Sequence, residues 1–101
     1  MIKKKFLKSR PVCKVTFRVP KEDAMEAKSI HLTGEFNGWN KQEIPMKKLK
    51  NGSFTVTLDL EKNNDYQFRY IIDNRKWINE PQADRHVPSG FVGSENSVIS
   101  V

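Results

Sequence analysis

Lys50-Asn51-Gly52-Ser53-Phe54-Thr55-Val56-Thr57-Leu58-Asp59-Leu60 is the stretch from which the fold is read most directly. Phe54, Val56, Leu58 and Leu60 alternate with Ser53, Thr55, Thr57 and Asp59, the period of a strand buried on one face. Asn51-Gly52 suits a two-residue hairpin turn, because both residue types accept the positive φ whose twist matches antiparallel neighbours. The partner strand must then lie just upstream, where Ile44 and Met46 supply a short one interrupted by Pro45.

The same period recurs on either side. Cys13, Val15, Phe17 and Val19 alternate with Lys14, Thr16 and Arg18 before Pro20 stops the strand. Residues 21–28 hold good helix formers but no apolar stripe, which predicts a loop or one helical turn. Residues 30–36 read as a strand that ends at Asn37-Gly38, with Trp39 directly after the turn. Beyond a break at Asn63-Asn64, Tyr66, Phe68, Tyr70 and Ile72 line one face of a strand, with Gln67, Arg69 and Ile71 on the other. Asp73-Asn74-Arg75-Lys76 then turns into Trp77 and Ile78. Residues 81–93 read as a long polar loop. Residues 96–101 close as a strand with Val98 on one face and Ile99 and Val101 on the other. Six or seven short strands with frequent turns and no convincing helix predict an all-β, antiparallel β-sandwich.

At 101 residues the chain has room for one domain and excludes a catalytic barrel of about 250 residues. Hydrophobic residues at 37% suffice for a small core, so disorder is not expected. No apolar run approaches the ~20 residues of a membrane span, and residues 1–8 lack the apolar block of a signal peptide. These readings give the expectation of a soluble, cytoplasmic protein without membrane contact. Cys13 is the sole cysteine and is expected as a small buried side chain in a reducing compartment.

Of the formal charge of +6, Lys3, Lys4, Lys5, Lys8 and Arg10 supply five. The remaining 13 Lys and Arg nearly balance 12 Asp and Glu, so the charge reads as a property of the tail, with no one-sided basic face on the body. Residues 1–11 are therefore expected as a basic arm that frays in solvent, and residues 12–101 as the sandwich. The functional alternative for the arm is contact with RNA or an acidic partner.

Catalytic constellations are sparse. His31, His86 and Cys13 match no metal-binding spacing, and neither metal nor cofactor is expected. Gly34 and Gly38 lack the lysine and following helix of a phosphate loop. Glu35, Asp73, Glu80, Asp84 and Glu95 are candidate carboxylates, but glycoside hydrolysis needs two of them across a cleft that a small sandwich hardly offers. A non-catalytic protein is the expectation.

Trp39 and Trp77 carry more information. Both follow turns, outside the alternating core pattern, and have the polar neighbours Asn37, Asn40, Lys76 and Asn79. Exposed aromatic pairs mark recognition surfaces, with a single buried tryptophan in a sandwich core as the competing reading. A pyranose suits such a platform: its flat face presents C–H groups and its edge hydroxyls for Asn, Arg and Lys to bond. Single-stranded nucleic acid uses similar platforms, but the near-neutral body argues against it.

Thr33-Gly34-Glu35-Phe36-Asn37-Gly38-Trp39, Tyr66-Gln67-Phe68-Arg69-Tyr70-Ile71-Ile72-Asp73, Trp77 and Gly93-Ser94-Glu95-Asn96-Ser97-Val98-Ile99 together resemble the isoamylase early-set group. This is carbohydrate-binding module family forty-eight, which includes the glycogen-binding module of the AMP-activated protein kinase β subunit. The resemblance covers residues 12–101 and implies an immunoglobulin-like sandwich that binds glycogen, maltooligosaccharide or another linear α-1,4-glucan. It further implies that Trp39 and Trp77 stack on sugar, that Asn96 hydrogen-bonds it, and that Arg69 replaces a sugar-contacting lysine. Val92 stands at the position of a protruding leucine, and Phe91 is the neighbour able to supply the missing apolar reach. The turn before Trp77 is one residue longer than in the family. A second reading implied here is a regulatory early-set domain, with weak or no glucan binding, that docks on a glycogen-metabolising enzyme in trans.

Overall fold

A computed structural model describes residues 1–90 and 93–101. Cys13, Val15, Phe17 and Val19 are all buried, and they set the inner face of the first sheet. They lie on β2 (Val12–Val19), which pairs antiparallel along its whole length with β6 (Phe54–Glu61), Cys13 opposite Leu60 and Val19 opposite Phe54. β1 (Ile2–Phe6) joins the free edge of β2, and β5 (Lys47–Lys48) joins β6, giving the order β1-β2-β6-β5.

The second sheet is built around β7 (Asp65–Ile72). β3 (Ile30–Gly34) and β10 (Glu95–Ser100) flank it, β4 (Ile44–Pro45) and β9 (Arg85–Pro88) extend the two sides, and β8 (Lys76–Ile78) folds back on β7 as a hairpin. The two antiparallel sheets face each other as an immunoglobulin-like, all-β sandwich. α1 (Lys21–Ala24) is a single helical turn that buries Ala24, within the segment expected as a loop or one turn.

Alternation decides which side chains meet. Phe68 and Tyr70 face inward from β7, and Phe68 meets Phe17 of the opposite sheet edge-on, centroids 5.1 Å apart at 72°. Phe68 and Tyr70 pack similarly at 5.8 Å and 77°. Such edge-to-face pairs are favoured by the ring quadrupole as well as by burial.

Five expectations need correction. Residues 1–11 do not fray as a unit: β1 pairs with β2 from Ile2 opposite Phe17 to Phe6 opposite Cys13, and Lys4 faces inward, donating to the Asp84 carboxylate at 2.8 and 3.0 Å and to the Ser100 carbonyl. A lysine-rich segment can form an edge strand because its outward charges stay in water. The segment around Pro45 divides: Ile44-Pro45 pairs with β3 and Lys47-Lys48 with β6, so the chain switches sheets within a few residues. The strand from Ile30 ends at Gly34, and Glu35–Asn37 is one 3-10 turn. Residues 81–93 contain β9, held on β10 through Asn96 opposite Val87. The hairpin at Asn51-Gly52 has a three-residue loop: Gly52 N donates to Leu49 O at 3.0 Å and Leu49 N to Ser53 O at 2.8 Å. Only Gly52 of that loop has positive φ, at 89°, where a glycine following a type I turn is expected. A hairpin turn with two consecutive residues at positive φ is found instead at Asp73 (50°) and Asn74 (60°), between β7 and β8.

Asp73 also fastens that hairpin to the entry of β3. Its Oδ1 accepts from Lys28 N at 2.8 Å and Ser29 N at 3.0 Å. The backbone donors of Ser29 and Lys28 hold the Asp73 carboxyl below the usual carboxylate range. Stabilisation from this group is therefore present above its unfolded pKa of about 3.9 and is lost as pH falls through its lower folded value. The gap in Tm between the wild type and Asp73→Asn should accordingly narrow below about pH 4, as followed by circular dichroism. For the core, Phe68→Ala should lower the unfolding free energy by about 3–5 kcal/mol in a denaturant titration.

Candidate functional site

Because Phe68 and Tyr70 face the core, Gln67, Arg69 and Ile71 must face outward from the second sheet. Thr33 of β3 lies opposite Arg69, and Trp77 of β8 opposite Ile71, on this outer surface. A groove of about 650 Å³ opens here, lined by Trp39, Arg69, Trp77 and Asn96, with Glu35, Lys41, Gln67, Ser89 and Ser94 completing the wall. Four of the residues singled out in the sequence thus converge. Phe91 and Val92, the other two, lie outside the described residues.

Trp39 reaches the groove through a compact turn. Gly34 N donates to Asn37 Oδ1 at 3.1 Å, Trp39 N to Gly34 O at 2.9 Å, and Asn37 Nδ2 to Asn40 O at 3.1 Å. Gly34 is required by proximity, since a Cβ there would meet Gln67 O at 2.5 Å and Phe68 Cβ at 2.8 Å. Trp39 itself has φ of 60°, a left-handed conformation costing about 1–2 kcal/mol for a residue with a side chain. The surrounding turn holds the ring where no relaxed extended chain would place it. Trp77, on β8, keeps 37% of its surface exposed, and Trp39 is half-buried. Neither belongs to the core cluster.

In the same groove a hydrogen-bonded chain fixes Arg69. Its Nε donates to Asn96 Oδ1 and its Nη2 to Ser94 Oγ, each at 2.6 Å, while Asn96 Nδ2 donates to Gln67 Oε1 at 2.9 Å. Two edges of the planar guanidinium are therefore committed to neutral partners, and its remaining donors stay available. Asn96, expected as a ligand-bonding residue, has both ends of its amide engaged within the protein; in this arrangement it orients Arg69. The guanidinium carbon lies 5.8 Å and Lys41 Nζ 5.5 Å from the Trp77 ring centroid, within cation–π range. Neither cation forms an ion pair among the described residues.

Glu35, Lys41, Gln67, Ser89 and Ser94 were not read as site residues. Gln67 and Ser94 had a signal: each lies two positions before a recognised residue, on strand-like sequence where i and i+2 share a face. Glu35 lay within the quoted turn, and its Oε1 accepts from Gln67 N at 2.7 Å. Lys41 and Ser89 offered none, because only tertiary folding brings their loops to the sheet.

The candidate carboxylates separate. Glu35 lines the groove, whereas Asp84 holds Lys4 and Asp73 the β7–β8 turn. Glu80 is completely buried, accepting from the Tyr70 hydroxyl and Gln82 N at 2.8 Å each and from the Met1 ammonium. Burial, then the Glu80 charge, pushes the Tyr70 hydroxyl well above its ordinary pKa. His31 lies in β3, and His86 Nε2 sits 2.9 Å from Glu80 O. Among the described residues no cluster of His, Cys, Asp and Glu is arranged to hold a metal, and no helix is long and apolar enough to cross a membrane.

An immunoglobulin-like sandwich with an aromatic-lined groove on one outer sheet face has the form of a small-ligand recognition module. Residues 22–101 match the family model described as the glycogen recognition site of AMP-activated protein kinase. The chain belongs to that family of carbohydrate-binding modules. No curated protein sequence matches it.

Asn96→Ala should release Arg69: its Nε–H resonance, sharp and slowly exchanging in the wild type, should broaden or exchange rapidly in the variant. Loss of two hydrogen bonds should also lower stability by about 1–3 kcal/mol.

Proposed function

We propose that the groove binds linear α-1,4-glucan, as glycogen or a maltooligosaccharide, through glucose rings stacked on Trp39 and Trp77. The carrying observation is that two tryptophans from separate elements border one groove whose wall also holds a hydrogen-bonded guanidinium. The ring faces supply apolar contact for pyranose C–H groups, and the uncommitted Arg69 donors, Lys41 Nζ and the Gln67 side chain supply polar edges for hydroxyls. The site is read as one of binding rather than bond cleavage.

A glucan site of this kind is neutral on the ligand side, which sets its signature. Trp39→Ala and Trp77→Ala should each weaken maltoheptaose binding by about 1–3 kcal/mol, the scale known for bases stacked on aromatic side chains. Both variants should keep the wild-type Tm, because neither ring is in the core. Wild-type affinity should barely change between about 50 and 200 mM salt, since no condensed counterions are released. Calorimetric titration at both salt concentrations checks each statement; unchanged binding in both variants would remove the stacking reading.

A further inference from the structure

We infer that the outer face of the first sheet docks an acidic surface of another protein, while the groove on the opposite sheet stays open. The strand register gathers cations that are scattered in sequence. Lys3 and Lys5 on β1 lie opposite Thr16 and Lys14 on β2, and Arg18 and Lys47 both lie opposite Thr55 on β6. Since Cys13, Val15 and Phe17 face the core, Lys3, Lys5, Lys14, Arg18 and Lys47 share the outward side. These cations come to share one face because Ile2–Phe6 pairs with β2 as an edge strand instead of fraying as a tail.

Among the described residues none of these cations forms an ion pair, although Asp59 lies opposite Lys14 in the register of β2 and β6. The ion pairs among the described residues are Met1 with Glu80, Lys4 with Asp84 and Arg85 with Asp65. Lys5 stands directly opposite Lys14, a like-charge cross-strand pair; Asp59, opposite Lys14 on its other side, offsets one of the two charges, whereas Lys5 on the edge strand has no such neighbour. An acidic partner would supply carboxylates to Lys3, Lys5 and Lys47, none of which has an acid opposite it in the strand register.

The remaining residues of the face select among polyanions. Thr16, Thr55 and Thr57 lie between the cations, with Thr16 and Thr57 hydroxyls 3.0 Å apart, and among the described residues of these strands no aromatic ring shares this side to stack a base. Asp59 and Glu61 occupy one end of β6 on the same face. They would repel phosphates of RNA or an anionic bilayer, but on a protein partner they can pair with a basic residue beside its acidic patch and so fix the register.

Poly-L-glutamate serves as probe, with single-stranded RNA, heparin and phosphatidylserine vesicles at matched charge as competitors. In a ¹⁵N-labelled wild-type titration, poly-L-glutamate should shift the amides of β1, β2 and β6 and leave those around Trp39 and Trp77 unmoved. The triple variant Lys3→Gln/Lys5→Gln/Lys14→Gln should lose about fivefold or more in affinity, whereas Lys28→Gln/Lys50→Gln/Arg75→Gln, with the same change in net charge, should lose less than about twofold. Equal losses in the two variants, dispersed shifts, tighter binding to RNA, heparin or vesicles, or displacement by maltoheptaose would each overturn the inference. The wild-type shift map stands independently of how either variant folds, and no arm requires that the groove bind glucan.

Discussion

The edge-on contact of Phe17 with Phe68 is the constraint from which the rest of the arrangement follows. It spans the two sheets at the centre of the core and fixes the inward set of β2 and β7 together. A one-residue slip in either strand would turn its apolar set into solvent, so the contact sets register as well as contributing burial. With Phe68 inward, Arg69 is committed to the groove; with Phe17 inward, Arg18 and Thr16 are committed to the opposite outer face.

The two outer faces consequently differ in kind. On the second sheet, the side chains of Gln67, Asn96, Arg69 and Ser94 bond one another, and aromatic rings rise from the turn after β3 and from β8. Such a surface is preorganised: the guanidinium is already oriented before a ligand arrives, which lowers the ordering cost of binding. The first sheet presents cations among threonines, with Asp59 and Glu61 at one end and, among the described residues, no ion pair formed with those cations. The former offers directional donors and ring faces, the latter mainly charge.

Sequence patterning made much of this visible. The alternation in Cys13 to Val19, Phe54 to Leu60 and Tyr66 to Ile72 assigned core and solvent faces as they stand in the structure, and Trp39 and Trp77 were recognised outside the core pattern. Gln67 and Ser94 lay two residues from recognised positions and were legible in principle. Lys41 was not, because its place beside Trp77 depends on the path of an irregular loop.

What the sequence determined by itself is what the pleat of one strand dictates: which side chains share a face, where Pro, Asn and Gly interrupt that alternation, and that two tryptophans follow such interruptions. Tertiary structure alone decided which strands pair. It recruited Ile2–Phe6 as an edge strand, divided residues 44–48 between sheets, drew β9 from a polar stretch and placed a hairpin turn with two positive-φ residues at Asp73-Asn74 rather than Asn51-Gly52. The physical reason is that facing is a local property with period two, whereas pairing uses backbone N–H and C=O groups common to every strand. Those groups carry almost no residue identity, so the partner is chosen by the packing of the whole sandwich.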